Sequence, residues 1–179
     1  GGSEEVKHLI SGLKRPVSFS MADLDEDGKE DAIISSFGNL DGRLLLYLDV
    51  KGANPLEKVL KVTAGASKNI LKDWDDDGDL DVLVLIAQGD EGIYLFRNEG
   101  NAQFTEEKIL QFPATYGSTH FDVLDLNADG MEDILYTGGD NGDYFPIMKD
   151  YHGIRIFLQE EKGSFREHVF LPQNGIFKA

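Results

Sequence analysis

Three stretches of this chain carry oxygen donors at a spacing that suits a cation. Asp23, Asp25, Asp27 and Asp31 stand at positions 1, 3, 5 and 9 of a nine-residue segment, with Gly28 at position 6. Asp73, Asp75, Asp77 and Asp81 repeat the pattern around Gly78, and Asp125, Asn127, Asp129 and Asp133 repeat it around Gly130. Acids at alternate positions of a tight loop aim at one centre. Glycine at position 6 permits the backbone turn that brings in the main-chain carbonyl of position 7. Those carbonyls belong to Lys29, Asp79 and Met131. Calcium takes about six to eight hard oxygen ligands in irregular geometry, whereas magnesium demands a stricter octahedron. Zinc recruits histidine or cysteine, and no loop has either. The pattern therefore predicts three calcium sites.

Two competing readings are weaker. An EF-hand needs a bidentate acid at position 12 and flanking helices. Position 12 here is Ile34, Val84 or Tyr136, each inside an apolar, strand-like run. Three plain acidic turns would hold several carboxylates together with nothing to offset their repulsion. Asn127 gives the third loop one fewer negative charge, so carboxylate count ranks it the weakest of the three.

The elements that must position these loops follow from their period. The copies begin 50 and 52 residues apart, at Asp23, Asp73 and Asp125. Each is preceded by a short alternating run, such as Val17-Phe19-Met21, and followed by an apolar one, such as Val82 to Ala87. Two further strand-like runs, separated by Gly, Asn and Asp turns, complete each period. Four short strands repeated about every 50 residues describe β-propeller blades. The fold expected is all-β, with three four-stranded antiparallel blades that form part of a larger propeller. The boundaries expected are residues 16–66, 67–117 and 118–173. Residues 1–15 hold a cloning remnant, Gly1-Gly2-Ser3, and the outer strand of a preceding blade; residues 174–179 begin a next one.

Composition narrows the partners. The 41% apolar content suffices for a core, and the formal net charge is −16. Of the 33 acidic residues, 16 lie inside the three loops, so the acidity is local. Three divalent cations would bring the charge to −10. That sign disfavours nucleic acid and anionic lipid. With no cysteine, disulfides, thiolate metal sites and cysteine nucleophiles are excluded. The longest aliphatic run, Val82 to Ala87, is far too short to insert in a membrane.

The loops with their following strands resemble the FG-GAP/VCBS repeat family. So do the turn-plus-aromatic units Phe96-Arg97-Asn98-Glu99-Gly100-Asn101-Ala102-Gln103-Phe104 and Phe157 to Phe165. The first repeat departs from that pattern, since Lys51 to Pro55 lacks the aromatic pair. The resemblance covers nearly the whole chain from Pro16. It implies a β-propeller with calcium in the hairpin loops, an extracellular, cell-surface or periplasmic home, and a role in adhesion or ligand recognition.

Recognition has one candidate segment. Asp31 to Gly42 and Asp81 to Gly92 each span 11 residues, whereas Asp133 to Gly153 spans 20. The third repeat thus carries an insertion at about residues 140–150, on the end away from the loops. It holds Asp140, Asn141, Asp143, Tyr144, Phe145, Lys149, Tyr151 and His152. Aromatics beside polar groups suit a protein or carbohydrate ligand, or they tuck under the loop and pack it. His120 and Asp122 fall on one side of a predicted inner strand, where they line a channel or pack between blades. No motif names a nucleophile, so the first reading is a non-enzymatic recognition module. Alternatives are part of a larger secreted carbohydrate-active or redox enzyme, and a structural spacer. Open blade faces leave self-association possible.

Overall fold

The computed structural model describes residues 9–139, 148–176 and 178. Twelve strands form three four-stranded antiparallel sheets, each built from consecutive strands in sequence order. Sheet 1 comprises β1 (Pro16–Ala22), β2 (Asp31–Ser36), β3 (Arg43–Leu48) and β4 (Leu56–Val62). Sheet 2 comprises β5 (Ala66–Lys72), β6 (Asp81–Ile86), β7 (Gly92–Asn98) and β8 (Phe104–Gln111). Sheet 3 comprises β9 (Ser118–Leu124), β10 (Asp133–Gly138), β11 (Gly153–Glu161) and β12 (Ser164–Pro172). This meander is what three propeller-like blades require. The outer strands of sheets 2 and 3 run longer than their apolar residues alone imply, because polar edges still complete the ladder.

Side-chain alternation assigns each strand to its cores. Val82, Val84 and Ile86 of β6 pack with Ile33, Leu44 and Leu46 between sheets 1 and 2. Leu83 and Leu85, one residue out of phase, pack with Phe121, Ile134 and Tyr136 between sheets 2 and 3. The uninterrupted apolar run of β6 follows from burial on both faces. A third cluster, Ala32, Ile34, Leu45 and Tyr47, lies on the other face of sheet 1, where Ile10 and Leu13 pack against it. Leu9 and Ile10 form no strand; the rest of the outer strand expected over residues 5–10 lies outside the described residues.

The aromatic units plug the seams. Phe96 and Phe104 lie in the first inter-sheet core, Phe157 and Phe165 in the second. Register shows that sheet 1 keeps half of this device: Tyr47 pairs with Ala32 as Phe96 pairs with Val82 and Phe157 with Ile134. The turn at Lys51 to Pro55 carries no second aromatic.

The first strand of each sheet abuts its neighbour. Ser20 donates to Asn69 Oδ1 at 2.6 Å, and Asn69 Nδ2 donates to Ser35 Oγ at 2.8 Å. Lys68 of β5 reaches β9, donating to the Phe121 carbonyl at 2.7 Å. All three acidic loops join first to second strands, so they share one end of the molecule with the β3–β4, β7–β8 and β11–β12 hairpins. The β2–β3, β6–β7 and β10–β11 connections share the other end. Gly42 immediately precedes the third strand of sheet 1 there, and Gly92 and Gly153 open those of sheets 2 and 3. A Cβ would fall 2.4 Å from the Thr63 carbonyl oxygen, 2.3 Å from that of Leu110 and 2.2 Å from that of Leu171. That close approach is why glycine recurs at this phase of the repeat.

Candidate metal centres and the opposite face

Each acidic loop is built by the same two grips. The aspartate at position 1 accepts backbone N–H groups from positions 5 and 6: Asp23 from Asp27 (3.1 Å) and Gly28 (2.8 Å), Asp73 from Asp77 (3.2 Å) and Gly78 (3.1 Å), Asp125 from Asp129 (3.2 Å) and Gly130 (3.0 Å). Position 6 has φ of 84°, 101° and 86°, which glycine adopts without strain. Position 4 is also left-handed, at Glu26 (59°), Asp76 (63°) and Ala128 (61°), a feature nothing in those side chains announces.

The aspartate at position 9 is the second grip, and it is buried in all three loops. One of its oxygens accepts the N–H of position 2: Leu24 (2.8 Å), Trp74 (2.9 Å) or Leu126 (2.9 Å). The other accepts an N–H at the end of the third strand: Asp49 (2.9 Å), Asn98 (2.7 Å) or Gln159 (2.9 Å). Asp31, Asp81 and Asp133 thus clamp the loop to the sheet. Burial pushes the Asp31 and Asp81 carboxyls up, and these N–H bonds oppose it. The clamp role of residues 49, 98 and 159 is not legible in sequence, because it is played by their main-chain N–H groups.

Neighbouring sheets buttress the loops. Asn98 Nδ2 donates to the Leu24 carbonyl at 2.9 Å, tying the sheet 2 hairpin to the first loop. Lys162 Nζ donates to the Asp75 carbonyl at 2.8 Å, tying the sheet 3 hairpin to the second.

Carboxylate oxygens of Asp23, Asp25 and Asp27 lie within 4.8 Å of one another, as do those of Asp73, Asp75 and Asp81. In the third loop Asn127 Oδ1 accepts the Asp129 N–H at 3.0 Å, and Asp129 Oδ1 that of Met131 at 2.8 Å. The donor sets are hard oxygens throughout. Asp75 Oδ1 is buried without a hydrogen-bond partner. An unpartnered carboxylate oxygen on a member of a carboxylate cluster fits a cation. Lys29 and Asp79 each donate their N–H to the position-5 aspartate, at 3.0 and 2.9 Å. The Lys29 ammonium, 2.7 Å from Asp27 Oδ2, holds that exposed carboxyl below its usual range. Position 12 is buried strand in each repeat, Ile34, Val84 and Tyr136, so it offers no ligand there.

At the other end, Val17, Phe37, Ser67, Lys68, Thr119 and His120 are among the residues that line a cleft of about 590 Å³ against the first strands. His120 Nε2 lies 3.2 Å from Asp122 Oδ2 and 2.9 Å from Lys68 Nζ, and Lys68 also pairs with Asp122. Burial lowers the His120 pKa, Lys68 adds to the effect, and Asp122 opposes it. The pair expected from sequence therefore exists, but a lysine stands on both members. Nearby, Ser118 donates its N–H and Oγ–H to Glu91 Oε2 at 3.2 and 2.7 Å, and its Oγ lies 2.8 Å from the Tyr136 hydroxyl.

The β10–β11 connection runs from 139 to 152, against 37–42 and 87–91 in the other sheets. Asp140, Asn141, Asp143, Tyr144 and Phe145 lie outside the described residues. Tyr151 stacks on Tyr116 with centroids 6.3 Å apart, and His152 is fully buried against it. Lys149 donates its N–H to Asn174 Oδ1 at 2.8 Å. Residues 174–176 turn back across this end, where the Ile176 carbonyl accepts the Thr119 hydroxyl at 3.4 Å.

Residues 73–136 match the FG-GAP-like repeat. The match opens on position 1 of the second loop and closes in the strand after the third, so it spans one full period and the start of the next. No curated protein matches the sequence.

Proposed function

From an FG-GAP-like repeat set among three propeller-like blades, we propose that this chain is a calcium-binding recognition module that works outside the cytoplasm and performs no catalysis. The observation that carries this reading is the twofold grip repeated in all three loops. A buried aspartate fixes each loop to its sheet, and the remaining oxygen donors gather at one end. A cation would be held by Asp23, Asp25 and Asp27, by Asp73, Asp75 and Asp77, and by Asp125, Asn127 and Asp129, with the position-9 carboxylates and the position-7 carbonyls beside them. It would supply positive charge that lets the hairpins persist as rigid corners. Extracellular calcium-binding modules work at roughly 0.1–1 mM, which supports a place where calcium stands at that level.

We assign recognition to the opposite end, which carries the cleft and the connection between β10 and β11. A protein or glycan partner fits its mixture of apolar wall, hydroxyls and amines. Among the described residues no helix is long and apolar enough to cross a membrane. Lys68 already engages both His120 and Asp122, which favours a structural tie over acid–base work. Native mass spectrometry from calcium buffer, repeated after chelation, tests the metal reading. Three calcium ions per chain, removed by chelator, are expected. A folded chain that binds none would overturn it.

A further inference from the structure

The second loop differs from its siblings in the strand residue that adjoins it. The residue just before the clamp's main-chain donor is Leu48 in sheet 1 and Leu158 in sheet 3, but Arg97 in sheet 2. Its guanidinium pairs with Asp75 Oδ2 through Nη1 and lies 3.4 Å from Glu107 through Nη2. Asp75 is the position-3 ligand. In the other loops the position-3 side chain accepts the position-5 N–H: Asp25 from Asp27 at 3.3 Å, Asn127 from Asp129 at 3.0 Å. Asp75 leaves that role, giving one oxygen to Arg97 while the other lies buried without a partner. The pair is mostly shielded, with 19% and 29% of the side chains exposed, in a recess lined also by Trp74, Asp77 and Lys162.

We propose that Arg97 is a built-in counter-cation of the second loop: it neutralises Asp75 when the loop is empty and shifts onto Glu107 when a divalent cation enters. This rests on the calcium reading above and refines it. Carboxylate count makes loops 1 and 2 equals and loop 3 the weakest. Loop 1 has a cation of its own, Lys29 on Asp27, but that pair is largely exposed and water screens it. The shielded Arg97 cancels one charge of loop 2 and repels an incoming dication more strongly, so loop 2 binds more weakly than loop 1 despite its full set of acids. Occupancy also has a route outward. Asp75 is held through its carbonyl by Lys162 of the sheet 3 hairpin and through its carboxylate by Arg97 of sheet 2. Re-aiming Asp75 therefore disturbs the contact between those two sheets.

The chain contains a single tryptophan, and it occupies position 2 of this loop, where the other loops have leucine. Trp74 also lines a recess with Gly130 and Met131 of the third loop. Terbium luminescence excited at the red edge of the indole band, beyond tyrosine absorption, is therefore read in an Asp129→Ala background that disables loop 3, and there it reports loop 2. Calcium affinity there follows from displacement of terbium, and calorimetry counts all sites in parallel. Arg97→Leu, which installs the residue of the other two sheets, is expected to tighten loop 2 on the order of tenfold, the scale of one shielded charge contact. Glu107→Gln removes the acceptor for the displaced guanidinium and is expected to weaken loop 2 a few-fold. Neither change alters the number of calcium ions bound. Unchanged or weaker loop 2 affinity in Arg97→Leu, or tighter affinity in Glu107→Gln, overturns the role of Arg97 while leaving the calcium reading intact. Absence of sensitised terbium and of calcium heat in the unaltered chain overturns both.

Discussion

Asp81→Ala separates the clamp from the metal site. The Asp81 side chain is fully buried and accepts two N–H groups, those of Trp74 and Asn98. Removing it leaves both donors buried without partners, at about 1–3 kcal/mol each. Some of that cost is returned, because burying an ionised carboxylate is itself unfavourable, as the upward push on its pKa records. A net loss of about 3 kcal/mol is expected, larger than an average point substitution. The decisive condition is chelator, where no metal contributes. Urea unfolding followed by Trp74 fluorescence reads the change directly, since that indole sits in the clamp. With a slope of about 2 kcal/mol per molar urea, the midpoint falls by about 1.5 M. Asp77→Ala is the control: its carboxylate is exposed and holds one loop N–H at 2.9 Å, so in chelator it costs under about 1 kcal/mol. Added calcium then separates the two differently, with Asp77→Ala losing part of the stabilisation that calcium gives. If Asp81→Ala in chelator costs no more than Asp77→Ala, the clamp is not what holds the loop to its sheet.

Three further outcomes follow from local geometry. His120 should titrate below the usual imidazole value of 6.5, and Lys68→Met should raise it, as read by NMR of the imidazole protons. The folded imidazole then binds fewer protons than the unfolded one just below pH 6.5. Its contribution to stability is full above that value and is lost as pH falls toward the folded pKa. An unmoved His120 in Lys68→Met would refute the coupling. Gly92→Ala drives a methyl against the Leu110 carbonyl oxygen, so a loss of about 1–3 kcal/mol is expected in chemical denaturation. A neutral effect there would mean that β7 and β8 can part without cost. Ala128→Gly relieves a left-handed alanine and is expected to raise stability by about 0.5 kcal/mol; a loss would show that the exposed methyl makes a contact worth more than the strain.

The fold was legible because its signals are local and repeated. Glycines and acids at fixed phase mark the turns, and between them Val82 to Ile86 is too short for a helix and too apolar for a loop. The position-9 aspartate was legible as an acid at the right spacing, but not as a clamp. Its partners at 49, 98 and 159 are main-chain N–H groups, and a donor that every residue carries leaves no mark in sequence. Tyr47 was obscured for a related reason. It occupies the register of Phe96, but the turn that follows it lacks the spacing of the other two repeats, so only the ladder reveals the equivalence.

Arg97 was visible all along, inside a segment read for its turn and its aromatics. An arginine facing outward near the end of a strand is ordinary. It becomes informative only when register places it one step before the clamp donor, beside a loop it never touches in sequence. The same holds for Lys162, which lies 87 positions from the loop it supports. Ligand spacing along the chain reports which oxygens a loop can offer. The cations that already sit on those oxygens come from the loop itself in one case, Lys29 on Asp27, and from the end of a third strand in another, Arg97 on Asp75. If the proposed role of Arg97 holds, affinity among near-identical repeats depends on residues outside the ligand positions as well as on the acids within them, and loops 1 and 2 differ through the neighbours that their sheets supply.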